Sequence, residues 1–145
     1  MKVVDPRFAK SREYGGVIRK IASAGHCPFC PENFKYHKHP TLRRAGEWFI
    51  TRSSWPYKNT RFHFLILGKT HKEKFSELSL RDWKNITALA EWAIKKFRIR
   101  GGGLALRFGE TAYTGATVYH IHAHLIMPNI NAKTKKAKTV VFSIG

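Results

Sequence analysis

The chain has 145 residues, enough for one domain with a sizeable core, and 43% of them are hydrophobic, an ordinary share for a globular protein. No apolar run approaches the roughly 20 residues of a membrane span, and the N-terminus lacks a signal-peptide h-region, so the expectation is a cytoplasmic protein with no membrane segment. Charge is the outlying quantity: 27 Lys and Arg against 9 Asp and Glu give +18, a field that draws phosphate-rich partners, nucleotides or nucleic acid, without identifying which.

Residues 1 to 26 are basic and polar and contain Gly15-Gly16 and Gly25. They read as an arm with at most a short element around Val17 to Ala24, leaving residues 27 to 145 as the domain. Basic residues are densest from Lys2 to Lys20, from Phe34 to Arg44 and from Lys133 to Lys138. Cys27-Pro28-Phe29-Cys30 holds both cysteines of the chain, a spacing that in a cytosolic protein points to a metal or redox pair before a disulfide. His26, His37 and His39 read as surface residues without a role. Glu47 to Thr51 has strand composition, and Arg61 to Leu67 reads as a second strand across a turn-rich connector, Ser53 to Asn59, that carries Trp55 and Tyr57. These two aromatics suit either a stacking surface or the core.

Ser79 and Asp82 have the spacing of a helix cap. Leu80, Trp83, Ile86, Ala90, Ile94 and Phe97 then recur at three- or four-residue intervals, which predicts the main helix, ending before Gly101-Gly102-Gly103. Leu104 to Phe108 reads as a strand, Gly109 to Gly115 as a loop, Val118 to Met127 as a strand stopped by Pro128-Asn129, and Val140 to Ser143 as a last edge strand. The fold class is α+β, a largely antiparallel sheet packed on one main helix.

Within the Val118 to Met127 strand, His120, His122 and His124 alternate with Ile121, Ala123 and Leu125. Side chains on a strand alternate between faces, so the three imidazoles share one face, roughly 7 Å apart, and the apolar residues share the other. Imidazole is largely neutral near pH 7, so a row of three can supply a nucleophile, a phosphate donor and a metal ligand.

The alternating run His120 to Ile126 resembles the signature of the histidine triad (HIT) superfamily of nucleotide hydrolases and transferases. Gly115-Ala116-Thr117-Val118 is similar to that family's approach to the triad, and Leu67-Gly68-Lys69-Thr70-His71 to its Pro-Lys-X-His strand end. Cys27 to Cys30 is similar to the cysteine pair of its zinc-bearing branches, so the likeness spans roughly Cys27 to Pro128. The resemblance implies attack on a nucleotide's α-phosphate through a nucleotidyl-histidine, with His122 as nucleophile, His124 as donor and Thr117 as a phosphate contact. The substrate would be a phosphoramidate, a dinucleoside polyphosphate or a nucleotide-capped end.

The same resemblance implies a structural zinc on Cys27, Cys30, His71 and His120, with His63 as a rival ligand, and a homodimer. Gly109 stands where many members have an asparagine, which leaves Arg107 or Glu110 to contact phosphate, and Trp55 or Tyr57 lies where an acidic residue usually holds the ribose. The competing readings are a basic nucleic-acid-binding protein of the same fold with little or no turnover, and a zinc-stabilised interaction module.

Overall fold

The structure, a computed structural model, describes residues 2–145. Its elements run α1 (Arg12–Ala24), β1 (Thr41–Ala45), β2 (Trp48–Arg52), β3 (Thr60–Gly68), α2 (Leu80–Lys96), β4 (Gly103–Leu106), the short α3 (Thr111–Thr114) and β5 (His122–Pro128). The five strands form one sheet in the order β1-β2-β3-β5-β4, with every neighbouring pair antiparallel. The α+β architecture is the one the periodicities predict, and no helix among the described residues is long and apolar enough to cross a membrane.

One face of the sheet packs on α2. Trp48, Ile50, Phe64, Ile66, Ile121, Ala123 and Leu125 meet Ile86, Leu89, Ala90 and Ala93 of the helix in a single buried cluster. The opposite face carries Phe49, Leu65 and Leu67, capped by Phe29 and Phe34, together with His63, His122 and His124. Register fixes this division: in the β3–β5 ladder Leu65 lies opposite His124 and Leu67 opposite His122. Gly102 lets the chain entering β4 lie against β5, since a Cβ there would sit 2.0 Å from the Ile126 carbonyl oxygen.

Several elements depart from the sequence reading. Within the segment read as an arm, Arg12–Ala24 form a full helix, α1, that packs on buried residues. Ser11 Oγ accepts from the Tyr14 amide to start α1, Gly25 ends it at φ 70°, and Ile18 and Ile21 pack with Val3, Val4, Cys27, Cys30 and Val118. The glycine pair, each costing about 1 kcal/mol in a helix, masks the apolar spacing of Tyr14, Val17, Ile18 and Ile21. β1, Thr-Leu-Arg-Arg-Ala, was not anticipated because an edge strand with exposed arginines lacks strand composition. The expected strand at Val118 to Met127 begins at His122, Val118 making only a single bridge to Val4. The expected strand at Val140 to Ser143 is an irregular segment. Part of the Gly109 to Gly115 loop is α3.

The α2 N-terminus is fastened through one carboxylate. Ser79 Oγ accepts from the Asp82 amide at 3.2 Å and Asp82 Oδ2 accepts from the Ser79 amide at 2.7 Å, a reciprocal cap. The same carboxylate accepts from Trp48 Nε1 at 2.8 Å and Lys72 Nζ at 2.6 Å, tying α2 to β2 and to the chain leaving β3. Burial alone would raise the Asp82 pKa. The Lys72, Trp48 and Ser79 donors outweigh burial and hold it well below the usual carboxylate range. A depressed folded-state pKa contributes stability that is present at neutral pH and is lost as pH falls through about 4 toward the folded value. Asp82→Asn is therefore expected to destabilise the protein by about 3 kcal/mol at pH 7 and to flatten the acid limb of its stability profile. Denaturant melts across pH check this; an equal loss at pH 7 and pH 3 contradicts it.

Candidate active site

Two donor clusters share the face of the sheet away from α2. The first joins distant segments: Cys27 and Cys30 on the turn after α1, His71 beyond the end of β3, and His120 just before β5. Their four ligand atoms lie within 4.8 Å of one another. Cys27 Sγ is 3.3 Å from His120 Nδ1, and Cys30 Sγ is 3.7 Å from His71 Nδ1 and 3.8 Å from His120 Nδ1. A tetrahedral zinc with ordinary Zn–S and Zn–N bonds sets sulfur and nitrogen about 3.6 Å apart, so the donor set fits such an ion. Each histidine's other ring nitrogen is committed outward, His71 Nε2–H to Glu73 Oε1 at 2.8 Å and His120 Nε2–H to the Gly68 carbonyl at 2.8 Å. These outer bonds turn both Nδ1 lone pairs toward the thiols. Burial pushes the Cys30 thiol up to about 12 and the Cys27 thiol upward, and lowers His120 to about 3. A cation among them offsets that cost by holding thiolates and neutral imidazoles.

The second cluster faces a cavity of about 690 Å³ whose far wall is α1. Its hydrogen bonds assign the tautomers. The Tyr57 amide donates to His63 Nδ1 at 3.1 Å, so His63 Nε2–H donates to His124 Nδ1 at 2.9 Å, and His124 keeps its proton on Nε2. His122 Nδ1–H donates to the His120 carbonyl at 2.7 Å, which leaves its Nε2 bare. The His122 and His124 ring centres are 4.7 Å apart. Burial lowers the pKa of His63 and of His122 to about 4 and that of His124 well below its usual value, with the Arg107 charge adding to each shift.

Of the residues expected to contact a nucleotide, Trp55, Tyr57, Arg107 and Thr117 line the same cavity and Glu110 does not. The Thr117 hydroxyl shares a 2.6 Å hydrogen bond with the Tyr14 hydroxyl. Trp55 lies between Tyr14, at 5.3 Å between ring centres, and Lys38, whose Nζ is 3.8 Å above the ring. Tyr57 stacks on His124 at 5.6 Å and receives Arg107 Nη1–H on its hydroxyl at 3.2 Å. Both aromatics are half-buried cavity walls and belong to none of the core clusters.

His63 is not a ligand of the thiol cluster, because both its ring nitrogens are engaged with Tyr57 and His124. His37 is not an idle surface residue. Its ring bridges Thr51 Oγ1 at 2.8 Å and Ser54 Oγ at 3.0 Å on the cavity wall, and burial followed by the nearby His39 lowers its pKa to about 4. His26 and His39 are exposed. Sequence reasoning also missed Lys10, Tyr14, Phe142 and Ser143. Tyr14 was within reach through the Ser11 cap, whereas the other three reach the cavity only through tertiary folding.

No protein-family model and no curated protein sequence matches the chain. Solved structures do. A Zn-bound histidine triad family protein from Mycobacterium smegmatis is 19% identical with a TM-score of 0.55, covering 78% of this chain and 81% of that one. A HIT family hydrolase from Clostridium thermocellum is 20% identical with a TM-score of 0.56, covering 74% and 93%. A hypothetical protein from Leishmania major is 19% identical with a TM-score of 0.59, covering 83% of each. The chain has the fold of the histidine triad proteins.

Proposed function

We propose that the chain is a member of the histidine triad superfamily that acts as a nucleotide hydrolase or nucleotidyl transferase at an α-phosphate, with His122 as nucleophile. One observation carries the reading: His122 offers a bare Nε2 and His124 an Nε2–H to the same cavity, a nucleophile beside a donor. His122 Nε2 attacks the α-phosphorus, and the N–P bond forms as the leaving group departs with its bonding electron pair. The ring becomes cationic in that step, and the His120 carbonyl, already accepting its Nδ1–H, stabilises the charge. His124 Nε2–H and the Thr117 hydroxyl donate to the oxygens of that phosphate, and the Arg107 guanidinium supplies positive charge beside it. A water then attacks phosphorus, releasing its proton to solvent, and the N–P electron pair returns to His122; an acceptor hydroxyl in place of water makes the reaction a transfer.

His63 acts through His124 as a positioning residue, since its Nε2–H obliges His124 to present a donor. Trp55 and Tyr57 offer flat faces for a base. The +18 charge favours nucleic acid as a second partner, and with it the alternative of a nucleic-acid-binding protein with little turnover. β4, an edge strand among the described residues, carries exposed Leu104 and the nearby exposed Phe108, which supports a homodimer joined there. A cytoplasmic location agrees with the two free cysteines.

Zinc on Cys27, Cys30, His71 and His120 is part of this reading. Four protein ligands leave no open position, so the ion would neutralise the thiolates and pin the turn after α1 to the strand that carries His122. The purified protein is expected to hold close to one zinc per chain, and Cys30→Ser to lose it together with thermal stability, because binding energy at such a site is also folding energy. Metal analysis and thermal melts check this; a metal-free protein with two titratable thiols contradicts it.

The catalytic reading is tested by kinetics on adenosine phosphoramidate, dinucleoside polyphosphates and adenylated DNA ends. His122→Ala is expected to lower kcat by several orders of magnitude while nucleotide affinity changes by less than roughly threefold, because the ring bonds to phosphorus only in the transition state. Wild-type turnover in His122→Ala contradicts the assignment.

A further inference from the structure

Two cations at the cavity rim converge on one neutral residue. Lys10, just before the Ser11 cap of α1, sends Nζ to Ser143 Oγ at 2.9 Å, and Arg107, just past the end of β4, grips the Ser143 carbonyl with Nε at 2.9 Å and Nη2 at 2.6 Å. Both also touch Tyr57, the ring stacked on His124: Lys10 Nζ is 4.7 Å from its centre and Arg107 bonds its hydroxyl. Phe142 completes the cover, 3.8 Å from the Arg107 guanidinium carbon and 5.1 Å from the His124 ring. Among the described residues no carboxylate pairs with either cation.

A guanidinium fork and an ammonium are matched to carboxylate or phosphate oxygens, and here they hold a peptide carbonyl and a hydroxyl. Burial and the Arg107 charge both push the Lys10 pKa down, as expected of two like charges brought together without an anion. We propose that Lys10 and Arg107 form an anion subsite for a second phosphate, next to the phosphorus facing His122, and that Ser143 occupies it until a substrate displaces it. The identity of the neighbouring phosphorus rests on the nucleotidyl-transfer reading. The subsite selects a nucleotide joined through a pyrophosphate linkage over a single-phosphorus phosphoramidate. The linkage is shared by dinucleoside polyphosphates and by adenylated 5′-phosphate ends, and the kcat/KM of the wild-type protein on each separates these sources.

Calorimetry with AMP and ADP, and kinetics on a dinucleoside tetraphosphate and on adenosine phosphoramidate, test the subsite. The wild type is expected to bind ADP more tightly than AMP by roughly tenfold, the usual effect of one well-made charged contact. Lys10→Gln and Arg107→Gln should each reduce that advantage, and Lys10→Gln should lower the ratio of polyphosphate to phosphoramidate kcat/KM by roughly tenfold. Ser143→Asp, which sets a carboxylate beside Lys10, should weaken ADP binding by competition; unchanged ADP affinity overturns the placeholder. If neither substrate turns over but the ADP preference depends on Lys10 and Arg107, the subsite stands and the nucleotidyl-transfer reading fails. If both turn over with no ADP preference and no change in the ratio, the subsite is overturned while that reading stands.

Discussion

The period-two alternation of residues 120 to 125, held in register against β3 from His122 onward, is the constraint on which the rest of the molecule depends. Ile121, Ala123 and Leu125 enter the core under α2, and the backbone must then send His120, His122 and His124 to the other face. A slip of one residue would expose two large aliphatic side chains, at about 1.5–3 kcal/mol each, and drive three imidazoles under the helix. The packing of one face therefore holds the chemistry of the other in place, and the β3–β5 ladder at the centre of the sheet makes that hold rigid.

Burying imidazoles is costly unless every ring nitrogen has a task. Among the described residues no buried side-chain nitrogen or oxygen lacks a hydrogen-bond partner, and the partners are directional. The Gly68 and His120 carbonyls, the Glu73 carboxylate and the Tyr57 amide decide which nitrogen carries a proton on His120, His122, His71 and His63. Two arrangements result along one segment of chain. His120 aims a lone pair at two thiols, while His122, two residues on, aims one into the cavity. The surrounding cations reinforce this, because Arg107 and Lys10 disfavour charge on His63 and His124 while attracting anions to the same space.

Much of the scaffold was legible because its signals are local and periodic. The 3.6-residue spacing after Ser79, the β-rich runs at β2 and β3, and the histidine alternation each report a face to be buried; α2 buries Ile86 and Ala90 of the expected set together with Leu89 and Ala93, while Leu80 and Ile94 stay exposed. The elements that escaped carry weak or masked local signals: α1 through its glycine pair, β1 through its arginines. At the site, the alternation itself indicated the shared histidine face. The meeting of Cys27 with His120, 93 positions apart, followed only from the family resemblance. Lys10, Phe142 and Ser143 left no sequence trace, since nothing local ties either chain terminus to His124. His37 was misread for the same reason, a lone histidine revealing nothing of the neighbours that hold it, and the preference for His71 over His63 as a ligand rested on the family resemblance alone.

As the proposed nucleophile, His122 forms a covalent bond to phosphorus. Rapid acid-free quenching of the protein with a substrate labelled at the α-phosphate, followed by peptide mapping, tests it most directly. The expected result is label on the peptide containing His122, stable to base, released by mild acid and absent from His122→Ala. Turnover with no label on the chain at any quench time, or label carried by another residue, contradicts it.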